Sequence, residues 1–179
     1  MIPSRRPADD GTLTGLLKFV VRKVGEGLDV QIPAVVVEYD RNANIATVQP
    51  LIDVQETTGE VSPRAPLANI PVLALGGGGF LISFPLQPGD KGWIEASDRD
   101  ISLFLQSLEE SAPNTFRVHT FEDGRFIPDV FNNYVISELD VANLVIQNLE
   151  GTVKFAMGPT GIAVTAPIFT WNNHMVRTS

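Results

Sequence analysis

IPAVVVEYDRNANIATVQPLIDV, residues 32–54, is the stretch that decides the fold. Val35, Val36 and Val37, then Ile45, Thr47 and Val48, are β-branched, and such side chains are stiff at χ1 and suit a pleated strand better than a helix. Between the two runs Asp40, Arg41, Asn42, Ala43 and Asn44 supply polar turn residues, so the stretch reads as two strands joined by a tight connection. Working outward, a Pro-containing loop from Glu56 to Pro66 leads into IPVLAL (70–75), the glycines Gly76 to Gly79, FLISFPL (80–86), the turn Gln87, Pro88, Gly89, Asp90, and KGWIEA (91–96). Short strands at this spacing predict a small barrel or sandwich by Ala96. Residues Phe116 to Phe131 read as irregular β, with Asp123 and Gly124 as a turn.

Two helices flank this pattern. Leu13, Leu16, Leu17, Val20, Val21 and Val24 follow the i, i+3, i+4, i+7 spacing of one helical face, with Asp10 or Thr12 to cap the start and Gly25 and Gly27 to end it. This stripe either packs on its own barrel or docks on a partner or on sister chains, with those six residues as the docking candidates. After the strands, Ser97 or Asp98 is expected to cap a second helix. Its crowded apolar residues Ile101, Leu103, Phe104, Leu105 and Leu108 predict burial.

The last forty residues differ. Leu144 and Ile146, Val153 and Phe155, and Ile162 and Val164 form apolar pairs, each nine residues after the one before, with Gly151, Gly158, Pro159 and Gly161 between them. Each repeat supplies one short strand, which cannot bury its apolar face alone. Stacking on neighbours is therefore required, within the chain or between chains, and since three repeats make only a thin ribbon, self-association along this stem is expected, with these six residues at the interface. By alternation along a strand, Ile146, Phe155 and Val164 should point inward, and Lys154 and Thr165 should face water.

Composition narrows the function. Of 179 residues 44% are hydrophobic and 19% charged, a globular balance, and the formal net charge of −8 would repel a phosphate backbone, so no nucleic-acid partner is expected. There is no cysteine, which excludes disulfides, thiolate metal sites and a cysteine nucleophile. Neither a signal peptide nor a membrane-spanning helix is expected. The glycine run is followed by Phe80, Leu81 and Ile82 and lacks the Lys and Ser or Thr of a phosphate-binding loop, so it reads as a bent connection. His119 and His174 stand far apart with no other ligand at metal-binding spacing, and both read as structural, although His174 is placed where three chains meeting on an axis could each supply a nitrogen. No serine sits in a G-x-S-x-G elbow, and the acids Glu95, Asp98, Asp100, Glu109, Glu110, Glu122 and Asp123 read as a solvated face rather than a catalytic pair. Asp98 and Asp100 also suit the positive end of a helix. Trp93, Tyr39 and Tyr134 are too scattered for a base-stacking platform, and Trp93 reads as core. The chain is thus expected not to be an enzyme, and to need no metal and no cofactor.

PAVVVEYD (33–40), ATVQPLI (46–52), IPV (70–72), the glycine run, ISFPLQPGDKGW (82–93), SDRDISLF (97–104) and FIPDVF (126–131) together resemble the N-terminal oligonucleotide/oligosaccharide-binding (OB) domain of contractile-tail phage baseplate central spike proteins, the baseplate assembly protein V type. The resemblance spans about residues 32–133. It implies a mainly β chain: an OB-fold barrel followed by a short intertwined trimeric β-helix, preceded by an N-terminal helix. The domains implied are an arm and helix at 1–31, a barrel at 32–135, and a stem and tip at 136–179. It further implies a homotrimer in the virion tail baseplate, attached to a hub protein, puncturing the host cell envelope, with a separate tip protein as a further partner. Spikes with a piercing apex carry an H-x-H pair, whereas only His174 stands near this C-terminus, which implies a blunt or separately capped end. Asp129 stands where the family tends to have glycine. The alternative reading is an OB-type binding module for carbohydrate or single-stranded nucleic acid.

Overall fold

Strand β1 (Gln31–Asp40) is the middle of a five-stranded antiparallel sheet, pairing with β2 (Ile45–Pro50) on one side and β8 (Lys91–Ser97) on the other. The computed structural model describes residues 12–55, 59–131, 134–171 and 174–176, in two compact units divided between Asp129 and Val130. The β1–β2 turn closes with Asp40 opposite Ile45, and the Asp40 carboxylate accepts from the N–H groups of Asn42 and Ala43. Asn44 takes φ 55°, a left-handed conformation that asparagine tolerates, and its amide donates to the Val72 carbonyl at 2.6 Å. The polar turn thus also pins the neighbouring chain.

The remaining strands of this unit are β3 (Val54–Gln55), β4 (Val61–Ser62), β5 (Leu67–Pro71), β6 (Leu75–Gly77), β7 (Phe80–Ile82) and β9 (Thr120–Pro128). The sheet order is β5-β2-β1-β8-β9. Its two edges approach each other where the Leu73 N–H donates to the Phe126 carbonyl at 2.8 Å, so the sheet nearly closes into a barrel, an OB-like arrangement. Alternation sends Ala34 and Val36, and Ala46 and Val48, to the inside, where they meet Ile70, Ile94, Phe121 and Phe126. Burying each of the larger side chains contributes about 1.5–3 kcal/mol.

Two readings are corrected here. Residues 120–128 form one strand that is irregular, as expected: Glu95 pairs with Arg125 but Ser97 with Thr120, so Asp123 and Gly124 lie in a bulged stretch inside the strand and not in a turn between strands. Gly124 is needed because a Cβ there would collide with the Glu95 carbonyl of β8, while Asp123 is held by the Arg117 guanidinium at 2.8 Å and the Thr120 hydroxyl at 2.9 Å. The second helix, α2 (Ser102–Ser107), buries no residue, and Leu103, Phe104, Leu105 and Leu108 are exposed. It is too short to offer a continuous apolar face, and its start is set by Asp100, which accepts from the Ser102 N–H, rather than by Ser97 or Asp98. Trp93 is only half-buried, and its indole N–H donates to Asp129 at 2.8 Å, which gives that carboxylate a role across the β8–β9 pair.

The first helix, α1 (Leu13–Glu26), is present as expected. Thr12 caps it, its hydroxyl accepting from the Gly15 N–H at 3.0 Å.

The second unit is a three-stranded antiparallel meander of β10 (Leu144–Gln147), β11 (Lys154–Gly158) and β12 (Gly161–Thr165), with a further hairpin of β13 (Phe169–Trp171) and β14 (His174–Val176). A single 3₁₀ turn, Glu138–Asp140, precedes β10.

Candidate functional site

The register of the meander places Ile146, Phe155 and Val164 in one row across the three strands, and Leu144, Met157 and Ile162 in another. Both rows lie on the same face because they are two residues apart along each strand. That face is uncovered: Leu144, Ile146 and Ile162 stay 60%, 62% and 63% exposed, and Met157 and Val164 are exposed as well. Val153 stands at the bend before β11, also exposed, its N–H donating to the Asn148 side chain. A contiguous apolar face of this kind is distinct from the scattered single apolar side chains of an ordinary protein surface. Met157 escaped the sequence reading, although it continues the period-2 series of Val153 and Phe155.

Over β10 and β11 the opposite face is closed by the chain itself, while Ala163 of β12 stays exposed. Ala156 is buried, and the Gln147 amide donates to the Val135 carbonyl. Lys154 does not face water. Its ammonium pairs with Asp140, and their side chains are only 17% and 8% exposed. Alternation did send Lys154 away from Phe155, but the segment before β10 returns over that side and brings a carboxylate with it. Lys154 first, then the Asn143 amide, hold the Asp140 carboxyl below the usual carboxylate range. Thr165 is exposed.

In the barrel unit the apolar stripe of α1 is also uncovered. Leu13, Leu16, Leu17, Val20, Val21 and Val24 are 47–73% exposed, so the helix does not pack this face on its own barrel. A second apolar surface had no counterpart in the sequence reading. The glycine run forms the tip of the β6–β7 hairpin, where Gly78 and Gly79 take φ 60° and 85°, as a two-residue turn of this hand requires. That hairpin projects Leu75, Phe80, Leu81 and Ile82 into solvent, Phe80 being 83% exposed. The signal available was the absence of any charged residue from Ala65 to Gly89.

The polar cluster of this unit is built around Asp100. Asp100 is buried and accepts from Ser102, from the Thr115 hydroxyl at 2.7 Å and from Arg117 at 3.3 Å. The Ser102 side chain, the Thr115 hydroxyl and the Ser102 N–H hold its carboxyl far below the usual range. Every partner of Asp100 is spent on anchoring the loop that leads to β9. His119 sits 3.2 Å from Asp98, and the side chain of His174 lies outside the described residues. Among the described residues no group of three or more His, Cys, Asp or Glu could hold a metal ion, and no helix is long and apolar enough to cross a membrane.

What the geometry defines is a barrel-like β chain whose distinguishing surfaces are uncovered apolar faces. Residues 32–129 match the family described as "Phage protein Gp138 N-terminal domain", more than half of the chain, and the chain belongs to that family. The match spans β1 to the end of β9 and stops at the boundary between the two units. No curated protein matches the chain.

Proposed function

We propose that this chain is the non-catalytic central spike of a phage contractile-tail baseplate: a homotrimer carried on the tail hub, with the meander unit as shaft, driven against the host outer envelope when the tail contracts. The observation that carries the reading is the two-row apolar face of β10, β11 and β12, left open in a chain whose barrel belongs to a phage protein family. Three such faces turned toward one axis would bury each other's side chains and leave the Lys154–Asp140 side outward. Stiffness would come from the dry apolar axis and the strand ladders, and the force from the tail. Such a protein needs no bound metal or cofactor to act.

Two measurements test it. Light scattering at micromolar concentration should give three times the chain mass, and gold-labelled antibody to this chain should mark the distal end of the phage tail. A monomer in solution, or label confined to the head, would overturn the proposal.

A further inference from the structure

We infer that α1 of one copy docks on the β6–β7 hairpin of the next copy, so that the barrel units join head to tail in a closed ring. This rests on the trimer proposed above and adds a second interface to it.

Charge selects the occupant. Residues 12–26 hold Lys18, Arg22 and Lys23 against Glu26, a net of +2, while residues 27–179 hold eight Lys and Arg against eighteen Asp and Glu, a net of −10. Packing α1 against α1 would bring like charges together, whereas placing α1 on a neighbouring body brings a basic helix to an acidic one. The hairpin is where such a helix can land without desolvating a charge, since no charged residue lies between Ala65 and Gly89. An anionic membrane is a poorer match for the hairpin, because the body that carries it would be repelled by anionic lipid.

Geometry excludes the chain's own hairpin as the occupant. Only Gly27 to Val30 separate α1 from β1, and this link is fixed. The Asp29 N–H donates to the His119 carbonyl, its carboxylate pairs with Arg64 at 3.0 Å, and the Ala96 N–H donates to the Val30 carbonyl. Held this way, the helix leaves its whole stripe exposed, and the hairpin keeps Phe80 and Leu81 exposed.

Size then requires the ring. A stripe of about three turns on a hairpin of two three-residue strands falls short of the roughly 800 Å² per partner of a stable interface. Docking of two different patches is heterologous and must close on itself or run on as a filament. Once three shafts have assembled, each helix meets its neighbour's hairpin as an intramolecular event, and small contacts then hold.

The cysteine-free chain makes the test direct. Leu17→Cys/Leu81→Cys and, independently, Val20→Cys/Phe80→Cys are prepared in the full chain, with each single variant as a control. After mild oxidation, non-reducing gels of the double variants should show a covalent trimer, and the single variants only monomer. A disulfide-closed monomer would place α1 on its own hairpin, and a dimer from Leu17→Cys alone would place α1 on α1. Either overturns the inference. A native trimeric mass without the cross-link overturns it while sparing the spike proposal, whereas a monomeric mass overturns both.

Discussion

Ile146→Ser probes the open sheet face where the arithmetic is simplest. Ile146 is 62% exposed in the single chain, so its removal costs the meander little, but full burial of an isoleucine is worth about 1.5–3 kcal/mol, of which about 60% is still to be gained on assembly. That leaves about 1–2 kcal/mol per chain and about 3–6 kcal/mol per trimer. At about 1.4 kcal/mol per decade, trimer dissociation should be favoured about 10²- to 10⁴-fold. Sedimentation equilibrium over a dilution series measures the shift, with circular dichroism to show that the strands persist and with Glu150→Gln, at the exposed β10–β11 turn, as a control. Phe155→Asp should act more severely, because each chain would bring a carboxylate to the apolar axis. Equal dissociation constants for wild type and Ile146→Ser would refute the reasoning, since a residue this exposed can be indifferent only if no copy covers it.

Lys154→Met should lower the thermal stability of the meander by stranding the Asp140 carboxylate, and Lys154→Met/Asp140→Leu should recover much of the loss; a double variant no better than the single one, by calorimetry, would show that the pair does not act as a unit. Because Asp140 is depressed below its ordinary carboxyl range in the folded chain, its stabilisation is complete above about pH 4 and is lost as pH falls through the lower folded value, so wild type should lose more stability than Asp140→Asn between about pH 4 and 2. Phe126, fully buried at the barrel closure, should cost about 3–5 kcal/mol as Phe126→Ala in urea denaturation. Gly92→Ala should cost about 1–3 kcal/mol or more, because its Cβ would meet the Phe126 ring at 2.6 Å and collide with the Ile127 carbonyl.

What could be read from the sequence and what could not divides along the range of the interaction. The β1–β2 hairpin, the α1 stripe and the shared face of Ile146, Phe155 and Val164 follow from periods of two or 3.6 residues, which neighbours along one strand or helix impose on each other. Lys154 shows where that logic stops. Alternation assigns it a side of the sheet, but whether that side meets water depends on Asp140, fourteen residues away, returning over it. Asp123 and Gly124 looked like a turn because turns favour both residues. Here the glycine serves close approach to Glu95 in another strand, and the aspartate serves Arg117. The glycine run carried the same ambiguity in reverse: it was legible as a bend, but the exposed apolar hairpin around it was not, since a run of apolar residues in a β-rich chain reads as core by default. Local pattern therefore fixes which side chains share a face. Only the returning chain, or a second copy, decides whether that face is the inside.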